Sequence, residues 1–354
     1  MSPPWTYADA TINRTLSPEQ KIELYRQMVR ARWFEKRGIA YYGAGKMGGW
    51  LNLQIGQEAI AVAFRSLMTA DDHSLTGFRG IGHALAAGMS MKVCMAELYG
   101  KASGSSKGKG GMMGMFAPDR NYWGGHSVAA AQTPLAAGLA FGLKYREVAG
   151  VVCCFLGDGA VNQGCFHESL NLAGLFDLPV IYVIENNGYA MGMSVKRSSA
   201  FKSCLAQRAE TYDIEWDILN GDDLYEIRAK AEPAFERARR ESRPTVLEIS
   251  TYRFFGHTIA DANQKLYRAP ADIEERKLNH DPILRWHEQL VREGVLDDAT
   301  AKAIGESAKS EAEAAGVFAD ESRSPEAAEI TQDVYWESDH QTSASKVGWH
   351  QFDD

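Results

Sequence analysis

Two unbroken apolar runs organise the middle of the chain. Val151-Val152-Cys153-Cys154-Phe155-Leu156 ends in Gly157-Asp158-Gly159, and Val180-Ile181-Tyr182-Val183-Ile184 ends in Glu185-Asn186-Asn187. Runs without polar alternation predict strands buried on both faces, as in a parallel sheet covered by helices. Gly164 to Asp177 between them has helical character. The unit therefore reads strand, helix, strand, with parallel strands and a right-handed crossover. Thr245 to Tyr252 supplies a third strand.

Nearer the N-terminus the period changes to that of a helix. Ile22, Tyr25, Met28 and Val29 recur at helical spacing with Arg26, Arg30 and Arg32 interleaved. Ser17-Pro18-Glu19-Gln20 is a helix start: a Ser cap, Pro in the first turn and Gln placed to close a capping box. The spacing predicts a helix running toward Tyr42 and ending at Gly43-Ala44-Gly45. Gly100 to Gly125, crowded with Gly, Ser, Lys and Met, reads as a long ordered loop of functional length. From Asp272 the chain is charged, Ala-rich and helical, and from Glu321 to Asp354 it is polar and irregular, the pattern of a surface arm or disordered tail. The expected fold class is α/β: three layers, α/β/α, around a central mostly parallel sheet, with a long N-terminal helix and a helical C-terminal segment. One domain is expected over residues 17–320, between an N-terminal arm (1–16) and a polar tail (321–354).

Composition narrows the function classes. With 45% hydrophobic and 24% charged residues, the 354-residue chain has ordinary globular usage and material for a sizeable core. A formal charge of -8 leaves no general basic surface for a nucleic-acid backbone. No apolar run approaches the roughly 20 residues that span a bilayer. The five cysteines form no C-x-x-C pair and read as reduced, buried thiols. Met1 to Gln20 has neither a secretory apolar core nor an Arg-rich amphipathic pattern, so a cytoplasmic protein is expected.

The candidate chemistry lies at the strand tips. In an open parallel sheet, ligands bind where the carboxyl ends of strands meet loops and helix N-termini. Asp158 and the Asn186-Asn187 pair both fall there. A diphosphate needs close backbone approach, amide donors and a divalent cation. Gly157 and Gly159 permit the approach, and a helix expected from near Ala160 offers its positive end. The Asp158 carboxylate, Asn187 amide oxygen and Tyr189 carbonyl form an oxygen set suited to magnesium. A bare G-D-G would arise by chance in roughly one chain in ten of this size, so the signal is the whole of strand, G-D-G, helix, strand and N-N. A P-loop ending at Gly108-Lys109 would need glycine where Ser103 stands and Ser or Thr at Gly110, and a dinucleotide fingerprint from Gly80 would need a small residue at Leu85.

G-D-G followed about thirty residues later by N-N resembles the thiamine-diphosphate motif. The wider pattern, from about Tyr25 to Arg268, resembles the alpha subunits of the pyruvate, branched-chain 2-oxo acid and acetoin dehydrogenases. It runs through Gly56-Gln57-Glu58-Ala59, Phe78-Arg79, Lys107-Gly108-Lys109-Gly110-Gly111, Gly124-Gly125-His126, Gly157 to Gly164, Glu185 to Tyr189 and Tyr252 to His257. This resemblance implies a thiamine-diphosphate-binding fold with Asp158, Asn187 and the Tyr189 carbonyl as Mg2+ ligands. It implies that Gly157, Gly159 and Ala160 line the diphosphate, that Arg79 binds it, and that Ser127 and Ala129 lie beside the aminopyrimidine ring. The family usually has tyrosine where Phe78 stands and often glycine at Ser127. His257 falls in a segment similar to the family's mobile active-site loop, where a histidine reaches cofactor and substrate. Thr258 stands where mitochondrial relatives carry a phosphorylated serine, and Lys265 near the second such position, so kinase control is not supported.

The resemblance also implies that the activating glutamate and a further catalytic histidine come from a beta subunit in an α2β2 heterotetramer, with acyl transfer to a lipoyl-bearing acyltransferase component. Trp50 falls where the family places an aromatic residue in the substrate pocket, which favours a small acyl group such as pyruvate's; core packing is its other reading. Acetoin and branched-chain 2-oxo acids remain alternative substrates, and a non-catalytic assembly paralogue is the alternative of a different class.

Overall fold

The computed structural model describes residues 7–200, 204–261 and 263–333. Strands β1 (His73–Gly77), β2 (Tyr122–His126), β3 (Val152–Gly157) and β4 (Val180–Asn186) are followed by a small hairpin, β5 (Tyr189–Ala190) and β6 (Met193–Ser194), then β7 (Glu215–Asn220) and β8 (Thr245–Ser250). The main sheet has six strands in the order β2-β1-β3-β4-β8-β7, every pair parallel.

The apolar runs form the two central strands for a simple reason. Successive side chains of a strand point to opposite faces, and here both faces are core. Val151, Cys153, Phe155, Ile181 and Val183 join one buried cluster with the helices Glu58–Arg65 and Leu224–Glu241. Val152, Cys154, Leu156, Val180, Tyr182 and Ile184 join another with Gln132–Tyr145 and Gly164–Leu175. This is the three-layer arrangement expected. All five cysteines are free thiols, and all but Cys165 are buried. Among the described residues no helix is long and apolar enough to cross a membrane.

The N-terminal helix spans Pro18–Gly43, with the Ser17–Gln20 capping box formed. Arg32 ties its inner face to Glu58 and Asp281. The Asp298–Glu321 helix packs along it and along Met91–Leu98, around a third, Met-rich cluster. Before the first long helix, the Asn13 amide donates to the Tyr7 and Tyr225 carbonyls, both at 2.8 Å. After the last one, residues 322–333 run along the Gly-rich loop: Ala102 N donates to Arg323 O at 3.1 Å, and Lys107 pairs with Asp333. Residues 1–6 and 334–354, parts of the expected arm and tail, lie outside the described residues.

Two sequence expectations need correction. The loop expected over Gly100 to Gly125 stops earlier, because Tyr122–His126 pairs with β1 as the edge strand; Gly124-Gly125 hid it, glycine being depleted in strands. The rest is held from inside by one buried carboxylate. Glu97 Oε2 accepts from Ser106 N and Gly108 N at 2.8 and 3.0 Å, and Oε1 from Gly110 N and Gly111 N at 2.8 and 2.9 Å. The helix expected from near Ala160 is the second correction. Ala160–Asn162 is a single 3-10 turn, Gln163 is extended at φ -77 and ψ 141, and the helix proper starts at Gly164.

Glu97→Gln sets an NH2 group against backbone donors that now meet an oxygen. It should lower stability by about 2 kcal/mol, read as a shifted urea midpoint, and should open residues 100–121 to limited proteolysis.

Candidate active site

The parallel register sets Gly157 beside Glu185, so the chain leaves β3 and β4 at the same level of the sheet. Asp158, the next residue, is only 4% exposed. Burial pushes its carboxyl up to about 6, opposed by the backbone amide of Gly159, the Arg253 charge, and the amides of Gly188 and Tyr189. Its Oδ2 has no hydrogen-bond partner among the described residues. The Tyr189 N–H lies 3.4 Å from Asn187 Oδ1 as well. One backbone amide therefore stands between the carboxylate of one strand tip and the amide oxygen of the other.

That approach requires glycine. A Cβ at Gly159 would fall 2.4 Å from the Ala190 methyl, and Gly188 has φ +85, a left-handed conformation that side chains disfavour. Gln57 reaches the same place from the loop before the Glu58–Arg65 helix, its Oε1 accepting from Asn187 Nδ2 at 3.3 Å.

The opposite wall begins where β1 ends. Arg79 is buried, its Nη1 donating to Leu53 O at 2.6 Å and its Nη2 to His257 O at 3.1 Å. Burial, with Arg253 nearby, lowers its pKa to about 10, so it stays a cation at neutral pH. The Phe78 ring meets His257 edge-on with centroids 5.4 Å apart. Burial, reinforced by Arg79 and Arg253, holds the His257 imidazole down to about 4. It is a neutral base at physiological pH. Its backbone is anchored by Asn52 Nδ2 on the carbonyl at 2.7 Å and by Asp261 on the N–H at 2.9 Å.

One cleft of about 300 Å³ is lined by Phe78, Arg79, Ala129, Gly157, Asp158, Gly159, Ala160, Asn187, Tyr189 and His257. Ser127 and Trp50 lie elsewhere, on a neighbouring cleft of about 630 Å³ beside the Gly-rich loop. Trp50 is 66% exposed, so it is not a core residue. Sequence reasoning assigned no role to Gln57 or Glu185, which also line the first cleft; Glu185 meets His83 Nε2 at 3.0 Å beneath it. The signal for both was their position inside the quoted motifs.

An all-parallel sheet whose strand tips gather a carboxylate, amide oxygens and a guanidinium in one cleft has the arrangement of an α/β enzyme with its ligand site at the strand tips. Comparison with known proteins gives the family. Residues 25–328 match the family described as dehydrogenase E1 component, and the chain belongs to it, the thiamine-diphosphate-dependent decarboxylating component of 2-oxo acid dehydrogenases. Among its relatives, the pyruvate dehydrogenase E1 component subunit alpha of Rhizobium meliloti is 38% identical over 328 residues, 93% of each chain. That of Zymomonas mobilis is 39% identical over 317 residues, 89% of this chain and 88% of its own. The chloroplastic alpha-3 subunit of Arabidopsis thaliana is 35% identical over 326 residues, 90% of this chain and 75% of its own.

The two shifted groups bias stability in opposite directions. Asp158 titrates higher folded than its unfolded value of about 3.9, so its contribution is lost as pH rises through 6. His257 titrates lower than its unfolded value of about 6.5, so its contribution is lost as pH falls toward 4. In thermal melts from pH 4 to 6.5, Asp158→Asn should gain on wild type as pH rises, and His257→Gln should lose on it.

Proposed function

We propose that the chain is the alpha subunit of a pyruvate dehydrogenase and that the cleft between β1, β3 and β4 binds thiamine diphosphate through Mg2+. The observation that carries this is the buried Asp158 Oδ2, which lacks a partner among the described residues and stands across one amide from Asn187 Oδ1. An unpaired carboxylate in a low dielectric is costly, and a divalent cation satisfies it. The donors are all oxygen, as magnesium prefers. Among the described residues no three His, Cys, Asp or Glu side chains form a metal cluster. Of the three proposed ligands only Asp158 is charged, so the cation would need a ligand's phosphates to complete its charge and coordination.

Asp158, Asn187 and the Tyr189 carbonyl would hold the ion. Gly157 has open space where a side chain would be, and Gly159 brings the backbone close, so phosphate oxygens can approach the chain at both. Arg79 supplies the fixed positive charge, and a guanidinium fork suits phosphate better than an ammonium would. Phe78 and Ala129 line the same cleft and would offer apolar surface to the cofactor. Bound there, thiamine diphosphate supplies the nucleophilic carbon and electron sink that let a 2-oxo acid lose carbon dioxide. His257 stands unprotonated at the cleft wall, able to accept a proton from substrate or hand one on during acyl transfer. Ser127 and Trp50 line the second cleft, and the indole there would favour a small acyl group.

Pyruvate is favoured over acetoin or branched-chain acids by the relatives, whose names agree on it. The words subunit alpha in the same names support a beta subunit as partner; we propose with it an active site completed at the contact between the two chains and a lipoyl-bearing component as acyl acceptor.

Calorimetric titration with thiamine diphosphate and Mg2+ should show one site per chain, no binding of Mg2+ alone, and a loss of at least about 10- to 100-fold in Asp158→Ala. Equal affinity in both forms would favour a non-catalytic assembly role. The chain alone should not decarboxylate pyruvate; co-expressed with its beta partner it should, faster than it acts on branched-chain 2-oxo acids or acetoin.

A further inference from the structure

Gln57 occupies the N-cap position of the Glu58–Arg65 helix but caps nothing with its side chain. The side chain is fully buried and lines the Asp158 cleft. A primary amide brings two N–H donors and an acceptor oxygen, and here one of these is used: Oε1 accepts from Asn187 Nδ2, a residue 130 positions away. Nε2 is buried without a partner among the described residues. An unmet buried donor costs about 1 to 3 kcal/mol. The Oε1 contact gives Asn187 Nδ2 an acceptor, but folding alone does not account for the unmet Nε2 at the other end of the amide. A donor left open on the wall of a cleft is one available to an anionic ligand.

Asn187 poses a separate problem. The two ends of its amide are nearly isosteric, and only the oxygen can bind a cation. Tyr189 N–H to Oδ1 at 3.4 Å is long, and the Gln57 contact at 3.3 Å is little shorter, so each is a weak constraint by itself. Gln57 acts on the other end of the same amide. With Nδ2 committed to the Gln57 oxygen, Oδ1 is left on the side where Tyr189 N–H and the Asp158 carboxylate meet.

Building on the cation-dependent diphosphate site proposed above, we infer that Gln57 is a positioning residue for cation ligation. It grips Asn187 by the amide nitrogen, so that the amide oxygen and not the NH2 group is presented to the ion. A ligating oxygen fixed in advance binds more tightly than one that must first be turned.

The test is a double-mutant cycle on the full-length chain co-expressed with its beta partner. Mn2+ is the probe, free Mn2+ is read by electron paramagnetic resonance, and thiamine diphosphate is saturating. An aspartate at 187 has two equivalent oxygens and needs no orienting. Gln57→Leu should weaken Mn2+ binding by about 10- to 100-fold in the Asn187 protein and far less in the Asn187→Asp protein. An equal loss in both backgrounds, or no loss in either, overturns the inference by making Gln57 a packing residue. Where Gln57→Leu does not fold, Gln57→Met takes its place, and thermal melts of each variant show that the fold is kept. Asp158→Ala separates the two levels. If it binds Mn2+ as well as wild type, the site reading fails and the inference falls with it; if it loses binding while Gln57→Leu keeps it, only the inference fails.

Discussion

A carboxylate that the fold takes out of water and leaves half unanswered governs this molecule. Asp158 sits at the end of a buried strand, and the Gly159, Gly188 and Tyr189 amides and the Arg253 charge offset part of its desolvation. They do not remove it, since the carboxyl remains well above its ordinary range. The imbalance is local, at Oδ2, which has no hydrogen-bond partner among the described residues and is where the proposed cation would sit. The glycines at 159 and 188, the short turn before the Gly164 helix and the β5–β6 hairpin all shape the backbone around that oxygen.

The rest of the sheet makes the position rigid. Because β3 and β4 are buried on both faces and locked in continuous register from Val152↔Val180 to Gly157↔Glu185, their tips cannot slide against each other. A one-residue slip would turn every side chain to the opposite layer. Precision at the cleft thus comes from packing well below it. The β1 wall is attached differently: Arg79 and Asn52 both donate to the His257 carbonyl, so the loop that carries His257 is fastened to the buried guanidinium of the cleft.

Sequence made the central strands, the long first helix and the Asp158–Asn187 constellation legible, because each has a strong local signature: unbroken apolar runs, a capping box, G-D-G and N-N. It concealed β1, β2 and β7. These have Ser, Thr, Gly or charged residues in place of an apolar run, and their strand identity comes from neighbours far along the chain. It misplaced the helix after Gly159, because Ala160-Val161-Asn162 has no local reason to stop after one turn; the extended Gln163 imposes the break. The contacts of Gln57 and Glu185 and the two grips of Arg79 were unreadable for the same reason: their partners lie 26 to 178 residues away.

The Gly-rich loop is held on two sides. Glu97 fastens it from within, and outside it Arg323, Ser322 and Gln332 take bonds from Ala102, Ser103 and Lys109. Such a seam makes the carboxyl-terminal stretch a splint for a segment some two hundred positions earlier. Anyone shortening the chain at the end of its last long helix would be removing an outer brace from the rim of the Trp50 cleft, and a fusion joined there would inherit a loosened edge.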